Sequence, residues 1–144
     1  AGALSVEREF GSLEIHSYHQ EAVQEAGRQA LEVLGFSEND RLKPQILSTQ
    51  MISNMDPFEA QLINRVAYGG LLLKGQMLCV LEMRPAAYIV LAANEAEKAA
   101  NITLVNYTSR GASGRLYFSG PDAEVRQARD MAVKAIESLP GREK

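Results

Sequence analysis

Cysteine is nearly missing from this chain. Its single cysteine, Cys79, cannot close an internal disulfide or supply a cysteine metal set, and a reducing cytosol is the expected setting. Long hydrophobic runs are missing too. The longest uncharged apolar run, Ala86 to Ala93, falls far short of the ~20 residues that span a bilayer, so it reads as half of a buried helix. The opening Ala1-Gly2-Ala3-Leu4 lacks the basic region and apolar stretch of a secretory signal. Positive charge is not in excess either. A formal net charge of −3, a pI near 5.4 and the lack of any basic run interleaved with aromatics argue against a nucleic-acid or anionic-membrane surface. What remains, 46% apolar and 23% charged residues, is the composition of a globular protein with a proper core.

The most informative feature present is an internal repeat. Gly11-Ser12-Leu13-Glu14-Ile15 returns as Gly114-Arg115-Leu116-Tyr117-Phe118, 103 residues on. The helical pattern Val23, Ala26, Ala30, Leu31, Leu34 returns as Val125, Ala128, Ala132, Val133, Ile136, 102 residues on. One strand-turn-helix unit therefore occurs twice. A period near a hundred residues is too long for a solenoid, where roughly 20 to 50 is usual, and fits tandem copies of one small domain. Two such domains need about 200 residues, whereas 144 hold one whole copy and the end of another.

Periodicity places the elements. Phe10 to His16 alternates as a strand, and Tyr18 to Leu34 carries apolar residues three and four apart until Gly35, a C-cap. Ser37 to Arg41 is polar, without an apolar period, and reads as a linker ending at Lys43-Pro44. Gln45 to Thr49 reads as a strand. Asp56-Pro57 opens a helix to about Arg65, since Asp caps free amides and Pro is tolerated in the first turn. Tyr68-Gly69-Gly70 is a turn, Leu71 to Leu73 with Lys74-Gly75 a short apolar arm, and Met77 to Met83 a central strand. Pro85 opens a helix over Ala86 to Ala100, rich in small residues that allow close packing. Ile102 to Thr108 and Arg115 to Ser119 are strands joined by the turn Ser109 to Ser113, and Gly120-Pro121-Asp122 starts the last helix. The tail, Pro140 to Lys144, is expected to fray. The sum is an α+β fold of ferredoxin-like character, an antiparallel sheet with helices on one face.

Several segments then carry a resemblance. Pro85-Ala86-Ala87-Tyr88, the run Ala92 to Val105 and Gly114-Arg115-Leu116-Tyr117 before a helix are similar to bacterial microcompartment shell domains. Arg41 to Ile46, Ala60 to Arg65 and Ala92 to Ala100 more narrowly resemble the tandem-domain carboxysome shell proteins of cyanobacteria and chemoautotrophs. The resemblance implies a permuted ferredoxin-like domain over 44–139, the C-terminal part of a preceding domain over 1–36, a linker at 37–43 and a tail at 140–144. In that family a complete first domain precedes the segment resembling Val6 to Leu34; here its opening strand and helix are absent. An unpaired sheet edge and an exposed apolar helix face are then expected in the first unit.

The same resemblance implies a nonenzymatic tile of the carboxysome shell in the bacterial cytoplasm. Such a tile is a homotrimer imitating a hexamer, able to stack face to face, with other carboxysome shell proteins as partners. It needs no cofactor, and phosphorylated metabolites of carbon fixation pass its central pore. The residues alone make Glu7-Arg8 a solvated strand end; the resemblance makes the pair the pore gate. Three acids and three bases around one axis close the ring by pairing across subunits and open it by rotating outward. In the second copy, Ser109, Arg110 and Gly111 are pore-lining candidates, because the Arg110 side chain and turn amides suit phosphate or carboxylate. The same glycine is equally what a hairpin turn needs. Lys98 is ordinary solvated surface by composition, and a tile-edge contact by resemblance.

No catalytic or metal constellation is expected. His16 and His19 straddle a strand end with no third ligand, Cys79 falls inside a strand, and Asp56 with Glu59 reads as capping. The rival reading is a regulatory module of ferredoxin-like trimer type that binds a small molecule between subunits, since fold alone does not fix function. An enzyme ranks third.

Overall fold

The computed structural model of the protein describes residues 2–6 and 10–143, apart from the side chains of Ala3 and Ser5. The chain divides into two units, Pro44–Leu139 and a smaller one made of the residues before and after it.

The larger unit is built on a four-stranded antiparallel sheet. Its strands are β3 (Gln45–Ile52), β4 (Met77–Arg84), β5 (Thr103–Thr108) and β6 (Gly114–Gly120), in the order β3-β4-β6-β5. Alternate residues of β4 point to opposite faces, and both faces are covered. On one side Met77, Cys79, Leu81 and Met83 join Leu116 and Phe118 under α3 (Ile89–Ala99) and α4 (Asp122–Glu137). Small residues make this layer close, with Ala92 and Ala96 of α3 and Ala128 and Ala132 of α4 fully buried. On the other side Leu78 and Val105 pack with Met55, Leu72 and Ala60, the last on α2 (Pro57–Asn64). The helices expected on one face, α3 and α4, are there, and α2, which precedes them in the chain, covers the other face. A continuous apolar run such as Met77 to Leu81 is the pattern of a strand buried on both sides, and α2 with the 66–76 segment supplies the second cover.

Local chemistry explains the ends. Asp56 accepts from the amides of Phe58 at 2.8 Å and Glu59 at 3.4 Å, capping α2 as its sequence predicts. Asn64 at the other end donates to the Leu72 carbonyl and accepts from the Leu72 amide, both at 2.9 Å, tying α2 to the apolar arm. Gly69 and Gly70 lie against the outer strand, where their amides donate to the carbonyls of Val105 and Leu104 at 3.0 and 2.8 Å. A side chain at Gly69 would sit 2.3 Å from the Leu104 carbonyl oxygen, so only glycine fits. Strand β3 runs to Ile52, beyond the expected Thr49, and the Ala86 to Ala100 helix opens with a 3-10 turn at Ala86–Tyr88.

The smaller unit holds a hairpin of β1 (Gly2–Val6) and β2 (Gly11–Ile15), and the helix α1 (Gln20–Val33). Strand β1 was not expected, because Gly2-Ala3-Leu4-Ser5 has little β-propensity; pairing with β2 in register defines it. Helix α1 ends as Gly35 predicts. Gly35 adopts φ +76°, its amide donates to Glu32 at 3.0 Å, and the Phe36 amide donates to Leu31 at 2.9 Å. The polar stretch after it folds into a 3-10 turn at Glu38–Asp40, where the Asp40 carboxylate accepts from the Ser37 amide at 2.7 Å. The tail was expected to fray, but Arg142 within it is held by hydrogen bonds. Arg142 donates its amide to Arg41, accepts from the Lys43 amide and donates Nε to the Asp40 carbonyl, three bonds of 2.9 to 3.0 Å.

Candidate functional site

The turn 109–113 joins β5 to β6, and two contacts set its position. Gly114 packs so tightly that a side chain there would lie 2.4 Å from the Ala86 carbonyl oxygen and 2.9 Å from Ile89. The Ser113 hydroxyl donates to Glu82 Oε1 at 2.5 Å, and Arg115 Nε lies 3.5 Å from the same oxygen. Glu82 of β4 stands directly across from Arg115 of β6, so this is a cross-strand charge pair with a serine added. The Ser113 hydrogen bond, with help from the Arg115 charge, holds the Glu82 carboxyl below the usual carboxylate range. Between these anchors Gly111 takes φ +88°, the left-handed conformation a tight turn needs, and Arg110 is exposed. The structure thus brings Ser109, Arg110 and Gly111 together on one turn, a cationic side chain beside backbone amides.

Glu82 and Ser113 were not singled out from sequence. The signal was there: Glu82 is the one charged residue within the otherwise apolar Met77 to Met83. A carboxylate in such a run needs a partner.

Glu7 and Arg8, the expected gate, lie outside the described residues. The described strands on either side end with Val6 paired to Gly11, the first-copy counterpart of Gly114. Lys98 sits in the last turn of α3, where a cation favours the helix terminus, and pairs with Glu95 at 3.1 Å on the exposed face. That places it away from the buried stripe of Ile89, Ala92, Ala93 and Ala96.

Among the described residues no catalytic set converges. Cys79 is fully buried, and burial pushes its thiol up to about 12, so it stays protonated at neutral pH and is no nucleophile. His16 and His19 are exposed, and among the described residues no three His, Cys, Asp or Glu side chains could hold a metal ion. No helix among the described residues is long and apolar enough to cross a membrane. An open groove of about 550 Å³ between β3 and α4 has Ile46 and Val133 on its apolar part, with charges of both signs from Arg129, Asp130, Lys134 and Glu137.

Comparison with known proteins completes the picture. Residues 1–40 match the CsoS1D N-terminal domain and residues 78–142 match the BMC domain. The second match starts inside β4, so β3 and α2 precede it in sequence while packing with it in space. The carboxysome shell protein CcmP of Synechococcus elongatus is 49% identical over 142 residues, covering 99% of this chain and 67% of that protein. The fused permuted hexameric shell protein MSM0275 from the RMM microcompartment superposes with a TM-score of 0.85 at 46% identity, over 93% of this chain and 68% of that one. The double ringed trimeric shell protein MSM0271 from the same microcompartment gives 0.92 at 39% identity, over 98% and 70%. A permuted sheet, a repeated strand-helix arm and near full-length similarity of this degree have one meaning: the chain belongs to the tandem BMC-domain shell proteins of the carboxysome CcmP and CsoS1D group.

Proposed function

We propose that this chain is a nonenzymatic tile of the carboxysome shell, assembled as a trimer whose ring imitates a hexamer around a central pore. The observation that carries the reading is the superposition on a double ringed trimeric shell protein over 98% of the chain at 39% identity. The internal repeat agrees with it. Two strand-helix arms per chain, repeated three times about an axis, place six similar arms around one ring.

On this reading residues 44–139 are one permuted domain and residues 1–36 are the end of the preceding copy. The linker 37–43 and the tail 140–144 lie beside each other, consistent with the Arg142 bonds to Arg41 and Lys43. Glu7 and Arg8 gate the pore. Ser109, Arg110 and Gly111 form the second-copy turn that faces it and favour anionic cargo such as phosphorylated metabolites of carbon fixation. The relatives' names as shell proteins support a structural role, and Cys79 is buried in the sheet and not presented to a passing metabolite.

Lys98 lies at the tile edge, meeting its twin on a neighbouring tile. Purified protein should form trimers by native mass spectrometry and flat sheets by electron microscopy. Lys98→Asp should abolish the sheets and leave the trimers. Monomers at all concentrations, or sheets of unchanged extent in the variant, would overturn the reading.

A further inference from the structure

Polar side chains from all four strands stand in one row across the larger sheet, at the root of the turn 109–113. The register sets Ser48 of β3 opposite Glu82 of β4, Glu82 opposite Arg115 of β6, and Arg115 opposite Thr108 of β5. The turn leaves β5 at Thr108 and enters β6 at Gly114, so both of its ends are tied to this row. Glu82 is the acid of the row. Its Oε1 accepts from the Ser113 hydroxyl at 2.5 Å and lies 3.5 Å from Arg115 Nε. The Glu82 side chain is 25% exposed and that of Arg115 55%. A short bond from a hydroxyl to a carboxylate sheltered to this degree outweighs the longer ion pair to a solvated guanidinium. Ser113 is therefore its principal partner.

Alternate residues of a strand face opposite sides, and the entry to β6 is gripped on both. Ser113 and Arg115 reach Glu82 on one face, while Gly114 between them lies against the Ala86 carbonyl and Ile89 on the other. Among the described residues of the first arm no counterpart of this grip stands. At the repeat offset of 103, Phe10 takes the place of Ser113 and Ser12 that of Arg115, and Gly11 has nothing within 4 Å. The anchoring belongs to the second turn and is not a requirement of the repeated hairpin.

We infer that Glu82 is the positioning residue of the second-copy turn: by holding Ser113 it keeps Arg110 and the turn amides in the arrangement that accepts an oxyanion. This rests on the reading of that turn as a pore wall for anionic cargo. The Glu82 charge also works the other way, since it repels an anion and screens Arg115. That repulsion is damped beyond the Debye length of about 8 Å at physiological salt, whereas a donor drawn back by about 1 Å no longer bonds, so positioning wins.

Inorganic sulfate titrated into the full chain, followed by the amide NMR shifts of Arg110 to Ser113, tests this. The proteins compared are wild type, Ser113→Ala, Ser113→Thr, Glu82→Met and the double variant Ser113→Ala with Glu82→Met. Each of Ser113→Ala and Glu82→Met should weaken sulfate binding about fivefold or more in a chain that still melts cooperatively. The double variant should lie within about twofold of either single one, because both remove the same bond, whereas separate damage to folding would multiply. Ser113→Thr keeps the hydroxyl and should bind within about twofold of wild type. Unchanged affinity in Ser113→Ala, multiplied losses in the double variant, or tighter binding in Glu82→Met, the mark of a screening charge, overturns the inference. If wild type binds no sulfate, the anionic pore-wall reading falls and backbone order parameters decide the role of Glu82 by themselves. Lower values confined to Arg110 to Ser113 in Ser113→Ala then uphold the positioning, and unchanged values overturn it.

Discussion

In the arm β6-α4, Val125, Ala128, Ala132 and Ile136 are each fully buried; in the arm β2-α1, which has the same order of residue types, no helical residue is buried at all. Gly114 presses on the Ala86 carbonyl, whereas Gly11, its counterpart, has nothing within 4 Å. The two arms have similar local chemistry. What differs is the cover: β6 lies between β4 and β5, and α4 lies beside α3, while β2 pairs only with β1 among the described residues. A helix's apolar stripe therefore records the surface it is meant to meet, and the surface must be supplied before the stripe stabilises anything.

The largest break in that comparison should come from the helix ends. Ile136→Ala should cost about 2 to 5 kcal/mol in urea unfolding of the free chain, because a fully buried side chain leaves a cavity. Leu34→Ala, at the corresponding place in the repeat but 68% exposed, should stay within about 0.5 kcal/mol. In assembled trimers the second variant should become as harmful as the first if the ring covers α1. Equal costs in the free chain would mean that α1 is covered there as well.

The glycine pair gives a smaller contrast. Gly114→Ala should destabilise by roughly 1 to 3 kcal/mol, since a backbone carbonyl and a β-carbon of Ile89 would both have to move. Gly11→Ala should be nearly silent in thermal melts of the free chain. A silent Gly114→Ala would show that the 3-10 turn at Ala86–Tyr88 can yield.

The smallest effect is electrostatic and confined to the second arm. The Glu82 carboxyl titrates below the usual carboxylate range because Ser113 and Arg115 favour its charged form. Its stabilising contribution is thus complete above the ordinary glutamate pKa and is lost as pH falls through the lowered value. Glu82→Gln should melt lower than wild type at about pH 6, and the gap should narrow as pH falls below the ordinary glutamate range. A gap independent of pH would assign the loss to packing and not to charge.

Much of the fold was legible in the sequence where its signals are local. Asp56-Pro57 caps α2, Gly35 ends α1 as a C-cap, and the burial of α4 at Val125, Ala128, Ala132 and Ile136 follows the apolar spacing. What was missed depends on partners far away in the chain. Strand β1 is defined by pairing and not by propensity, α2 takes the opposite sheet face because both faces of β4 are apolar, and the tail is held by backbone bonds that no side-chain pattern announces. The turn 109–113 was readable as a turn, but not the Glu82 carboxylate that fixes it, since the two are 31 residues apart.

The docking of Gly69 and Gly70 on β5 gives the sheet a direction of growth. Two amides from that segment occupy the Leu104 and Val105 carbonyls, and Asn106 donates its side-chain amide to Val66 at 3.3 Å, so a foreign strand arriving at β5 finds these positions taken. Strand β3 forms the other border of the sheet, and among the described residues no backbone bond of this kind stands on it.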